Sequence, residues 1–165
     1  MAQDIKKIIA QEYLKCAKDP AYFMRKYCFI QHPTRGRILF NLYPFQEKAL
    51  HLFRDHQYII TLKSRQLGIS TLASAYSLWL MIFHKDKNVL ALATTQATAR
   101  NLVTKTMFMY DQLPKWIKLP ALEKNKLSLR LKNGSKITAK SSNADAARSE
   151  AVSLLLIDEA AFIDN

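Results

Sequence analysis

Two short segments carry the residue types that phosphate chemistry needs. The first is KSRQLGIS, residues 63–70. Against the phosphate-loop pattern GxxxxGK[ST], Gly68 falls on the second glycine and Ser70 on the terminal hydroxyl. Lys63 stands at the first-glycine position and Ile69 at the lysine position, so the literal match fails. A phosphate at a helix start requires backbone N–H groups, a cation and, beside magnesium, a hydroxyl. All three remain available if Lys63 or Arg65 is the cation. The candidate contacts are therefore Lys63, Ser64, Arg65, Gln66, Leu67, Gly68, Ile69, Ser70 and Thr71. The same stretch also reads as a plain polar turn between a strand and a helix.

The second segment is LLLIDEAAF, residues 154–162. Four apolar residues deliver Asp158 and Glu159 to the end of a strand. Asp158 could orient a magnesium ion and its waters, and Glu159 could polarise an attacking water. An acid pair after an apolar run is also common as a cap. Together the two segments are more specific. Both would lie at the carboxyl ends of neighbouring parallel strands, where open α/β sheets bind ligands.

Several elements must position them. Residues 5–17 read as a helix with Asp4 as its N-cap, and residues 21–27 as a second short one. Residues 28–42 look irregular, with a basic turn at residues 34–37. Pro44 suits a helix start, and residues 45–54 continue it, burying Ala49, Leu50 and Phe53. Residues 58–62 (YIITL) and 88–93 (NVLALA) read as strands buried on both faces, each followed by a helix, at 70–84 and 96–112. This alternation predicts a parallel sheet with right-handed crossovers.

Beyond it, Leu127, Leu129 and Leu131 alternate with polar residues, as do Ile137 and Ala139. A three-residue loop over 132–134 pairs Leu129 with Ile137 and Leu127 with Ala139. It places Gly134 in the left-handed conformation. Residues 152–157 are a third buried strand. We divide the chain into a helical segment, 1–57, and a partial α/β core, 58–165.

Composition removes several alternatives. At 165 residues with 49% hydrophobic and 23% charged side chains, one folded domain is expected and wholesale disorder is not. The excess of 25 Lys and Arg over 13 Asp and Glu, a net charge of +12, favours a polyanionic partner. The longest apolar stretch, 72–83, is too short to span a bilayer. Cys16 and Cys28 lack metal-ligand spacing and are expected as buried, reduced thiols. The four histidines show no metal spacing either.

The chain resembles the N-terminal ATPase part of the large terminase subunit, the DNA-packaging motor of tailed bacteriophages. The resembling residues are YPFQ (43–46), KSRQLGIST (63–71), ALATTQATA (91–99), LKNGSKITAKSS (131–142) and LLLIDEAAFIDN (154–165). The resemblance implies a P-loop NTPase core of the ASCE type, with helices flanking a parallel sheet plus a β-hairpin. It implies ATP and Mg²⁺ as cofactors. Tyr43 and Gln46 would form an adenine-sensing motif. Lys63 would serve as a displaced loop lysine, Ser70 and Asp158 as metal ligands and Glu159 as the catalytic glutamate. Arg65 would take part in catalysis, and Arg148 would be an arginine finger acting on a neighbouring subunit. Implied partners are double-stranded DNA, a portal protein, a small terminase subunit and a homo-oligomeric ring, in the host cytoplasm and with no membrane. The family's coupling motif and nuclease domain are expected to be absent from these residues, leaving the sheet incomplete and apolar surface exposed.

Two other readings stay open. One is a helicase-like ATPase of the same fold. The other is a basic DNA- or partner-binding module with a disabled nucleotide site, favoured by Ile69. Lys115, Lys118, Lys124, Lys126, Arg130, Lys132, Lys136 and Lys140 could track a duplex backbone without reading sequence, or form a solvated basic face.

Overall fold

The computed structural model describes residues 2–141 and 151–162, with side chains from Asp4 onward. Among these residues five α-helices and seven strands run in the order α1 (Ala2–Lys18), α2 (Pro20–Tyr27), β1 (Phe29–His32), β2 (Gly36–Leu39), α3 (Pro44–Asp55), α4 (Ile69–Phe83), β3 (Asn88–Ala93), α5 (Gln96–Asp111), β4 (Ala121–Lys124), β5 (Ser128–Leu131), β6 (Lys136–Ser141) and β7 (Leu154–Ile157). A single 3₁₀ turn, Ala160–Phe162, follows β7.

The main sheet has the order β4-β5-β6-β3-β7. It is mixed. β6, β3 and β7 are parallel, whereas β4 and β5 are antiparallel additions. The expected hairpin is present, and its second strand is itself a member of the parallel set. Leu129 stands opposite Ile137, as the three-residue loop requires, and Gly134 has φ +85°. That loop does more than turn the chain. The Asn133 amide donates to the carbonyls of Met81 and His84, at 2.8 and 3.1 Å, and the Ser135 hydroxyl donates to His84 at 2.9 Å. The last carbonyls of α4 thus find partners outside the helix.

One sheet face holds the core. Val89, Ala91 and Ala93 of β3 lie in register with Ile137 and Ala139 of β6 and with Leu154 and Leu156 of β7. The β3 and β6 residues of this row are buried, with the two β7 leucines packed against them. α5 covers β6 and β3, and α4 packs along α5. Small polar residues let these helices approach closely. Ser74 donates to Leu102 O at 3.2 Å and Thr106 to Ser74 O at 3.3 Å. Thr95 caps α5 by accepting the Thr98 N–H at 3.2 Å, which fixes where the chain leaves β3.

α1 and α2 pack against this unit. Trp79 donates its indole N–H to Cys16 O at 2.8 Å. One carboxylate oxygen of Glu12 accepts from Tyr22, Tyr27 and Lys26 at 2.6–2.7 Å. The Lys26 bond, ahead of the two tyrosines, holds the Glu12 carboxyl down at about 2. Cys16 and Cys28 are fully buried free thiols. Burial pushes the Cys16 thiol up to about 12, and raises that of Cys28 as well.

Four expectations need correction. Residues 58–62 form no strand; Tyr58 is 85% exposed, and Ile60 and Leu62 are fully exposed. The run has strand composition, but no strand among the described residues offers it a hydrogen-bonded ladder. The 152–157 run is an edge strand and not a buried one, with Leu155 and Ile157 about half exposed. Residues 28–42 hold an antiparallel hairpin, β1–β2, around the basic turn. Asp4 lies in the first turn of α1, which begins two residues earlier.

Candidate nucleotide-binding site

The loop before α4 is fixed at its end by Gly68, which has φ +71° and caps the helix. The first N–H groups of α4 lack partners within the helix and form the positive end of its dipole. Ser70, in that first turn, donates its hydroxyl to Asp158 Oδ2 at 2.8 Å, across 88 positions of sequence. Asp158 is held at the end of β7 by its own N–H, which donates to Leu92 O at 3.0 Å. Its other carboxylate oxygen accepts the Glu159 N–H at 3.1 Å. Glu159 has φ +56° and an exposed side chain. Ser70 and Asp158 are thus brought together, but the loop does not lie at the carboxyl end of a strand neighbouring β7 as expected, since no strand precedes it among the described residues.

A cleft of about 920 Å³ opens beside the loop. Tyr43, Gln46, Lys63, Gln66, Leu67, Gly68, Ile69, Ser70 and Thr71 all line it. Ser64 and Arg65 are exposed and are not part of its wall. Asp158 and Glu159 are not on its wall either; Asp158 touches the cleft only through Ser70. Arg148 lies outside the described residues. Tyr43 is 62% exposed and stacks in parallel on Phe45, with ring centroids 5.7 Å apart.

Gln46 differs from its neighbours in being 2% exposed. Its amide oxygen accepts the Tyr43 N–H at 3.0 Å, and its amide nitrogen donates to Leu67 O at 3.0 Å. The first bond caps α3; the second ties that helix to the loop.

The sequence did not point to the rest of the lining, which includes His32 and Arg35 of the β1–β2 hairpin and Lys105 of α5. These residues sit in no motif, and only the tertiary fold brings them to the loop.

The donor set suits a hard divalent cation. Ser70 and Asp158 present two oxygens within hydrogen-bond distance of each other, the ligand type that Mg²⁺ takes.

The sequence profile of the family described as "Terminase large subunit, T4likevirus-type, N-terminal" matches residues 60–165, well over half of the chain. The chain belongs to this large terminase family. Its fold agrees. The crystal structure of the HK97 bacteriophage large terminase superposes with a TM-score of 0.66 at 16% identity, covering 86% of this chain. The chain spans 30% of that terminase's length. The mixed α/β architecture is thus that of a terminase N-terminal region. Among the described residues no helix is long and apolar enough to cross a membrane.

Proposed function

We propose that the chain is the ATP-binding and hydrolysing part of a phage DNA-packaging motor, built on a P-loop core of the ASCE type. The observation that carries this reading is the Ser70–Asp158 bond. It joins the start of the helix after the loop to the acid at the end of β7.

In this reading the triphosphate lies over the α4 N-terminus, where the helix dipole and unpaired N–H groups favour an anion. Lys63, an exposed lysine on the cleft wall, supplies the point charge that the loop lacks at Ile69. Ser70 and Asp158 would hold Mg²⁺, which when bound neutralises phosphate charge. Glu159 orients and deprotonates the attacking water. Arg65 and, from a neighbouring subunit, Arg148 stabilise charge developing on the transferred phosphoryl group.

The basic segment supports duplex DNA as the moved substrate. Lys115, Lys126, Arg130 and Lys132 have exposed side chains. Others are partly neutralised, since Lys124 bonds Asp111 at 2.6 Å and Lys118 lies 3.8 Å from the same carboxylate. A portal protein, a small terminase subunit and a ring of copies complete the proposed assembly in the host cytoplasm.

A second reading, a DNA- or partner-binding module with a disabled nucleotide site, is favoured by the unpaired run 58–62 ahead of the loop. Steady-state ATP turnover with and without duplex DNA separates the two. The motor reading predicts stimulation by duplex over single-stranded DNA. It also predicts a loss of roughly 100-fold or more in Glu159→Gln, the scale of a general base. Turnover indifferent to both DNA and Glu159 would contradict it.

A further inference from the structure

We propose that Gln46 is a positioning residue for the phosphate loop and not a reader of the nucleotide base. This deepens, and rests on, the reading of residues 63–71 as a phosphate site. A glutamine amide has two N–H groups and an oxygen with two lone pairs. One N–H is committed to Leu67 O and one lone pair to the Tyr43 N–H. Gln46 borders the cleft but is only 2% exposed, so little of its remaining donor and acceptor is open to a ligand edge.

What the side chain does reach is the loop. The Leu67–Gly68 peptide is planar and trans, so its C=O and N–H point in opposite directions. Holding the Leu67 carbonyl against Gln46 turns the Gly68 N–H away from it. An anion over the α4 N-terminus needs N–H groups facing it, so this peptide must be held in one orientation. The contact is also close. A Cβ built on Gly68 would lie 2.7 Å from the Gln46 amide nitrogen, so a side chain there would push that amide off its bond, and the left-handed backbone itself favours glycine. Without the Leu67 bond the peptide is free to flip, presenting a carbonyl oxygen to the phosphates in place of an N–H. Tyr43, 62% exposed on the cleft wall, offers a ring face for stacking.

The test compares ATP with inorganic tripolyphosphate, which has no base, each with Mg²⁺ and the intact chain. If Gln46 positions the loop, Gln46→Leu weakens both by the same factor, at least about tenfold, with GTP following ATP. Weaker ATP binding with tripolyphosphate unchanged would show that Gln46 reads the base, and would overturn the proposal. A second measurement needs no ligand: NMR order parameters of the Leu67 and Gly68 amides. Gln46→Glu keeps an acceptor for the Tyr43 N–H and removes the donor to Leu67. We expect it to loosen these two amides from rigid values near about 0.85 to below about 0.6, as Gln46→Leu does, while α3 keeps its order. Unchanged order parameters in both variants would overturn the proposal. If the natural chain binds neither ATP nor tripolyphosphate, the nucleotide reading fails, and the order parameters still decide whether Gln46 holds the loop.

Discussion

Residues 58–62 and 88–93 have nearly the same sequence character and opposite fates. Both are short, apolar and rich in strand formers. The second is β3, paired in parallel with β6 on one side and β7 on the other, with Val89 to Ala93 all buried. The first has no ladder, and its Ile60 and Leu62 side chains lie wholly in solvent. Between these extremes stands β7, with one neighbour and alternate residues half exposed. Strand propensity describes a fit to a pleated, half-buried surface. It does not create that surface. Backbone groups need partners, and β3 has them on both edges.

The contrast can be broken by placing the same charge in each run. Ala91→Asp puts an unpaired carboxylate at a fully buried site between two ladders. It should cost more than about 4 kcal/mol and leave the chain largely unfolded. Leu156→Asp, on the edge strand but packed against the core, should cost an intermediate amount, about 2–3 kcal/mol. Ile60→Asp, at a fully exposed residue, should stay within about 0.5 kcal/mol. Urea unfolding of the three variants checks the order. A large cost at Ile60 would mean that residues 58–62 pair with a strand in solution, and would remove the contrast.

The same contrast marks what the sequence could and could not convey. The β5–β6 register was legible because a three-residue loop keeps Leu129 and Ile137 on one face and a two-residue turn does not. β3 and α5 were legible because their signals are local. β1–β2 was not: FIQH and GRIL show no clean alternation, and their pairing depends on packing against α2 and α5. β4 was not, since all four of its residues are exposed. At the site, Gly68, Ser70 and Asp158 could be named from residue type and spacing. The Gln46–Leu67 bond could not, because it joins residues 21 positions apart through the packing of α3 on the loop. The same holds for Lys105 and the hairpin wall.

The central claim is that residues 63–71 and Asp158 form a nucleotide site despite Ile69. Calorimetric titration of Mg-ATP into the natural chain, Lys63→Ala and Ser70→Ala tests it most directly, with circular dichroism confirming that all three are folded. The account predicts one binding event, weakened at least about tenfold in each variant, a loss of about 1.4 kcal/mol. A folded natural chain that releases no binding heat, or variants that bind as tightly as it does, would contradict the account.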